Sequence, residues 1–136
     1  MTPEALAAIH ASAFERPWDA AAFAGLLGQA GLFALGDDRG FILVRAVADE
    51  AEILTLAVRP EARRGGLGRD LVEAGARAAQ ARGAATLHLE VAEDNAAALG
   101  LYHATGFSEV GRRPGYYVRA DGPAADALLL ARNLAD

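Results

Sequence analysis

The stretch that most constrains this fold runs from Ala51 to Arg82: an apolar run, a turn rich in glycine and arginine, and a helical pattern in direct succession. Ile53 to Val58 is almost unbroken in its apolar character, which predicts a strand buried on both faces. Pro60 closes that strand, because proline cannot donate to a ladder. Gly65, Gly66 and Gly68 allow unusual backbone dihedrals and close approach to a ligand. A helix starts near Gly68 and runs to about Arg82. The N–H groups of its first turn have no partner within the helix, and they face back into the loop with the positive end of the helix dipole. Such a loop is a ready anion site, best suited to phosphate. Arg59, Arg63, Arg64 and Arg69 crowd this turn in a chain whose net charge is −5, a local reversal of sign. The turn is not a P-loop, since no Gly-Lys-Ser/Thr follows, and the G-x-G-x-x-G spacing fails. On these residues alone, a glycine turn with solvated arginines remains the alternative.

The rest of the chain falls into order around that unit. Thr2 or Pro3 opens a helix to about Phe14 with Leu6, Ile9, Ala13 and Phe14 on one face. Arg16-Pro17-Trp18 breaks it, and Asp19 caps a second helix, Ala20 to Leu27. Leu32–Leu35 and Phe41–Val47 form a hairpin about Gly36–Gly40. After Gly83 as a C′ glycine, Thr86–Val91 alternates, with Leu87, Leu89 and Val91 on one face and Thr86, His88 and Glu90 on the other. Ala51–Val91 is then a β-loop-α-β unit whose strands are parallel. Asp94 or Asn95 caps a helix to about Ala104. A strand runs from Phe107 to Gly111, Arg112–Gly115 is a turn, and a final strand near Ala127–Arg132 ends the sheet. This order predicts a single domain spanning residues 1–136, of mixed α/β (α+β) class with a mixed central sheet.

Two side chains stand out for chemistry. Glu90 lies at the end of a strand next to the organising strand, on its polar face, where it can attract a cation and accept its proton; the plain alternative is an exposed carboxylate with no task. Tyr102 lies about two helical turns beyond Asn95, on a similar face. Its phenol can donate a proton, or it is a packing tyrosine.

These segments together resemble the GNAT family of N-acetyltransferases. Arg63-Arg64-Gly65-Gly66-Leu67-Gly68 looks like its Q/R-x-x-G-x-G/A pyrophosphate loop. L-H-L-E-V-A-E-D-N-A-A-A-L-G-L-Y-H-A-T-G-F looks like the L-x-L-E-V-x-x-x-N-x-x-A-x-x-L-Y-x-x-x-G-F segment of its ribosomal-protein-alanine acetyltransferases, the RimI type. The resemblance implies a βαβ core that binds acetyl-CoA as cosubstrate. The pyrophosphate would lie at Arg63–Arg69, including Gly65, Gly66, Leu67 and Gly68, with Asn95 as a further contact. The pantetheine arm would pair with the backbone of Leu56, Ala57 and Val58. Glu90 would be the general base and Tyr102 the general acid. Arg112, Arg113, Tyr116 and Tyr117 match the C-terminal R-R-x-Y-Y pattern, so Arg113, Tyr116 and Tyr117 are expected at the peptide site. Gly115, Val118 and Ala125 depart from that pattern.

Acetyl transfer to an amine suits these assignments. An α-amine has a pKa near ~8 and a thiol near ~8.5, so a base must deprotonate the acceptor and an acid should assist the departing thiolate. The resemblance implies transfer to the α-amine of an N-terminal alanine, in a small-subunit ribosomal protein. The alternatives on the same scaffold are a small-amine or antibiotic N-acetyltransferase and a non-catalytic acyl-CoA-binding module. The chain has no cysteine, so a cysteinyl-acyl intermediate is excluded. His10, His88 and His103 lack metal-ligand spacing and are expected to be surface or half-buried residues; no metal is expected. The acidic balance argues against nucleic acid as a partner. Neither a signal segment nor a membrane-spanning run is seen, so a cytoplasmic protein is the expectation; a monomer or weak dimer is expected, with no residue pattern specifying it.

Overall fold

The structure is a computed structural model that describes residues 1–134. The helices are α1 (Pro3–Ala13), α2 (Ala20–Leu27), α3 (Leu67–Ala81) and α4 (Ala96–Ala104); the strands are β1 (Leu32–Asp37), β2 (Gly40–Val47), β3 (Glu50–Val58), β4 (Thr86–Ala92), β5 (Ser108–Tyr117) and β6 (Ala125–Asn133). Asp19 caps α2 as predicted, accepting from Ala22 N–H; of Asp94 and Asn95 it is Asn95 that caps α4, accepting from Ala98 N–H, and Thr2 caps α1, accepting from Ala5 N–H. The six strands make one mixed sheet in the order β1-β2-β3-β4-β6-β5. The last strand therefore does not end the sheet. It inserts between β4 and β5, antiparallel to both, and β5 becomes the edge.

Each face of the sheet carries its own core. Leu71, Val72, Ala76 and Ala79 of α3 and Tyr102 of α4 pack against Ile42, Val44, Ile53, Leu87 and Leu89. On the other face, Leu6 and Ile9 of α1 and Phe23 of α2 pack against Phe41, Leu43 and Ala57. Burying apolar faces on both sides of a sheet is what makes a three-layer domain stable. Arg132 of β6 ties the α3–α4 layer down, donating to both carboxylate oxygens of Glu73 at 2.8 and 3.2 Å and to the Thr105 carbonyl at 3.1 Å. No helix among the described residues is long and apolar enough to cross a membrane.

Two local departures from expectation position the site. The apolar run of β3 is not a regular strand. Val44 pairs with Ile53 and Leu43 with Thr55, so Leu54 is an extra residue, a β-bulge. Ile53 packs on the α3 side, whereas Leu54 packs on the α1 side. Pairing of β3 with β4 is parallel as expected, but it covers only Glu50↔Thr86, Ala51↔Leu87 and Glu52↔His88. Past Glu52 the strands part. The second departure is Arg112–Gly115, which is not a turn. Arg112 and Arg113 pair with Leu128 and Ala127 inside β5, and the register shifts on either side of them, between Glu109 and Gly111 and between Arg113 and Tyr117. Gly115 takes a positive φ of 61° there, and its N–H donates to Asp126 Oδ1 at 2.8 Å. An edge strand tolerates Pro114 in such a bulge.

Candidate active site

The parting of β3 and β4 opens a cavity of about 780 Å³, within the usual range for small-molecule sites. Its walls include Leu56, Ala57 and Val58 from the free edge of β3 and Glu90 from β4. Arg63, Arg64, Gly66, Leu67 and Gly68 line it from the loop into α3, and Asn95 and Tyr102 line it from α4. Tyr117 and Arg119 close it on the β5 side, and Ala13 and Phe14 on the α1 side. Gly65, Arg69, Arg113 and Tyr116 are not among the residues that line this cavity.

At the loop end, Gly66 is the N-cap of α3 with φ 82°, a conformation that favours glycine, and no side chain caps the helix. The first intrahelical bond runs from Asp70 N–H to the Gly66 carbonyl at 3.0 Å. The N–H groups of Leu67, Gly68 and Arg69 are therefore left for a ligand. A Cβ at Gly65 or Gly66 would meet nothing within 4 Å, so the space over the loop is open. Arg63 Nε donates to the Val58 carbonyl at 3.2 Å and ties the loop to β3. Uncapped N–H groups, exposed guanidinium groups and open space together fit a pyrophosphate.

At the other end, Glu90 and Tyr102 approach from opposite faces of the sheet. Along β4, Leu87, Leu89 and Val91 are buried on the α3–α4 side, and Glu90 alternates to the α1 side. The Glu90 side chain is 25% exposed, with Arg113 Nε at 3.7 Å. Tyr102 belongs to the other layer, 7% exposed and edge-on to Phe107 with ring centroids 5.5 Å apart. Burial pushes the Tyr102 phenol up to about 12, so it stays protonated at any working pH. The Tyr117 phenol is also raised, by burial first and then by the Glu90 charge. Arg119 holds both oxygens of Asp94 at 2.9 and 3.1 Å, and its guanidinium stands 5.4 Å over the Tyr117 ring. Arg112 bridges Glu93 at 2.9 Å and Asp126 at 2.8 Å. The Gly115 N–H, and then Arg112, hold the Asp126 carboxyl below its usual range.

The histidines are expected from the sequence to be surface or half-buried, and His10 corrects this by being fully buried. It is 2% exposed, and its Nδ1 accepts from Trp18 N–H at 3.0 Å. The signal was present, since His10 stands four residues after Leu6 and next to Ile9 on the apolar face of α1. Burial pushes its pKa down to about 4, below the ordinary value near ~6.5. The unfolded chain thus takes up a proton that folded His10 refuses between those values. The stability that neutral His10 confers is complete above pH ~6.5 and is lost as pH falls towards 4, by up to ~3 kcal/mol. In chemical denaturation at stepped pH, His10→Phe is expected to flatten this slope; an unchanged slope would assign it to other groups.

With this geometry in place, comparisons with known proteins converge. The model of the acetyltransferase (GNAT) family matches residues 4–107. The chain is 41% identical over 119 residues to the ribosomal protein bS18-alanine N-acetyltransferase of Escherichia coli (strain K12), covering 85% of this chain and 80% of the relative. The crystal structure of the ribosomal-protein-S18-alanine N-acetyltransferase from Escherichia coli matches with a TM-score of 0.87 at 34% identity, over 98% of this chain and 88% of that one. Nourseothricin acetyltransferase matches with a TM-score of 0.65 at 30% identity, over 76% of this chain and 65% of that one.

Proposed function

Since this chain belongs to the GNAT family of acetyltransferases, we propose that it acetylates the α-amine of an N-terminal alanine, that of ribosomal protein bS18 or a protein like it. The enzyme is an acetyl-CoA-dependent N-acetyltransferase. One observation carries the reading of its site: a slot through the sheet with Glu90 on one face, Tyr102 on the other and the uncapped end of α3 at its mouth. The acceptor assignment is supported by the names of the relatives that match over most of both chains.

Acetyl-CoA supplies an acyl group activated as a thioester. The N–H groups of Leu67, Gly68 and Arg69, with Arg63 and Arg64, hold its pyrophosphate, and the free edge of β3 at Leu56–Val58 aligns its arm. Asn95 commits its side-chain oxygen to the cap of α4, which leaves both donors of its amide NH₂ for the ligand. On the α1 side, Glu90 draws in the acceptor ammonium and takes one proton from its nitrogen. The C–N bond forms and the C–S bond breaks, and the second proton leaves the nitrogen for solvent, from which the sulfur is finally protonated; until then sulfur carries negative charge beside the Tyr102 hydroxyl. A phenol at about 12 is a weaker acid than a thiol near ~8.5. Its task at sulfur is therefore hydrogen-bond donation as charge develops, ahead of full proton transfer. Tyr117, Tyr116 and Arg113 border the acceptor side next to Glu90.

The test offers purified enzyme a bS18 N-terminal peptide beginning with alanine, the same peptide with a blocked α-amine, polyamines and aminoglycosides. Peptide turnover that vanishes on blocking supports the proposal. Turnover of the small amines alone would move the protein to the second reading, which the likeness to nourseothricin acetyltransferase keeps in view. Acetyl-CoA binding with no turnover of any amine would make it a binding module.

A further inference from the structure

His10 has no part in the acetyl-transfer steps, yet its ring is engaged on every side. Nδ1 accepts the Trp18 backbone N–H at 3.0 Å, and Nε2 lies 3.0 Å from Thr55 Oγ1. An acceptor at Nδ1 places the proton of the neutral ring on Nε2, which donates to Thr55. The Phe14 ring stacks on the imidazole at 4.2 Å and the Trp18 ring at 5.0 Å, both close to parallel. What His10 joins matters more than its burial. Thr55 follows the bulged Leu54, where β3 leaves β4. Phe14 ends α1, is 40% exposed and lines the cavity with Ala13 on the Glu90 side. Trp18 begins the approach to α2. An apolar side chain could fill this volume but could not specify the turn, whereas a buried ring with two directed bonds fixes one geometry.

Building on the reading of the cavity as an acetyl-transfer site, we propose that His10 is a positioning residue for the acceptor. Through Trp18 N–H it fixes the Phe14–Trp18 turn, so that Ala13 and Phe14 form the wall against which the first residues of the acceptor lie, opposite Tyr117. His10 touches neither the acceptor nor acetyl-CoA, and it acts on the half of the reaction that binds the amine.

Two substitutions separate its bonds. In His10→Gln the longer amide still reaches Thr55 but leaves Trp18 N–H unpaired. In His10→Asn the shorter side chain places its oxygen near the Nδ1 position and still accepts from Trp18. The acceptor is whichever amine the wild-type enzyme turns over in the panel above, so failure of the peptide assignment does not touch this test. His10→Gln is expected to raise acceptor KM about tenfold or more, with kcat within about threefold and acetyl-CoA affinity unchanged. His10→Asn is expected to recover most of that KM. A normal KM in His10→Gln, with only a lowered Tm, would reduce His10 to a core residue. Equal KM losses in both variants would overturn the role of the Trp18 bond. Should either variant fail to fold, wild-type fluorescence decides, because Trp18 is the single tryptophan of the chain. Its emission is expected to shift on adding acceptor and to hold still on adding acetyl-CoA alone; silence towards the acceptor overturns the proposal.

Discussion

Replacing Glu90 with glutamine is expected to lower kcat by ~10²–10⁴-fold near neutral pH while leaving acetyl-CoA affinity and fold intact. The side chain is half-buried on β4, facing the acceptor side of the slot, and glutamine matches its shape. The amide cannot accept the ammonium proton. It also loses the Arg113 contact, but at 3.7 Å with Arg113 55% exposed that pair adds little to stability. The signature lies in the pH profile. Above the amine pKa near ~8 the acceptor arrives already deprotonated, so the deficit should shrink as pH rises. Rates of wild type and variant measured from pH 6 to 10 decide the matter. A deficit of constant size would mean that Glu90 orients the amine and takes no proton from it.

The second large effect is expected at Gly66. Its φ of 82° charges any other residue ~1 kcal/mol in stability, and the space where a Cβ would stand is open. Gly66→Ala is therefore expected to fold with a lowered Tm and to bind acetyl-CoA within about threefold of wild type, carrying only the backbone cost. Gly66→Asp carries the same cost and puts a carboxylate over the N–H groups of Leu67, Gly68 and Arg69. Two like charges ~4 Å apart at an effective dielectric near ~20 repel by about 4 kcal/mol, so even with screening the loss of affinity should reach ~10²-fold or more. Calorimetry on the pair separates charge from conformation. Equal affinities would remove the pyrophosphate from this loop.

Much of this architecture is written locally. Thr2, Asp19 and Asn95 cap their helices because short polar side chains satisfy orphan N–H groups, and that chemistry needs only neighbouring residues. The β3–loop–α3–β4 unit is local for the same reason. The bulge at Leu54 is not. An apolar run such as Ile53–Val58 reads alike whether the strand is buried on both faces or steps from one core to the other. The place of β6 between β4 and β5 was equally hidden, since strand order depends on partners far along the chain. Arg112–Gly115 carried strong turn signals that Asp126 overrode by accepting the Gly115 N–H and pairing Arg112. Glu90 and Tyr102 were expected at the site from spacing and resemblance, and both line the cavity, but their approach from opposite faces follows from the parting of the strands.

That parting also bears on how the protein responds to its surroundings. Three register pairs join the sub-sheet β1-β2-β3 to the sub-sheet β4-β6-β5, so the molecule is built as two leaves on a short spine. A ligand lying along the free edge of β3 and held at the start of α3 takes the place of the missing rungs. Whatever binds only the folded chain raises its stability in step with the logarithm of its concentration over Kd. Here that increment falls on the seam between the leaves, where the chain itself supplies least. The supply of acetyl donor in the cell would then bear on both the rate of this enzyme and the stability of its fold.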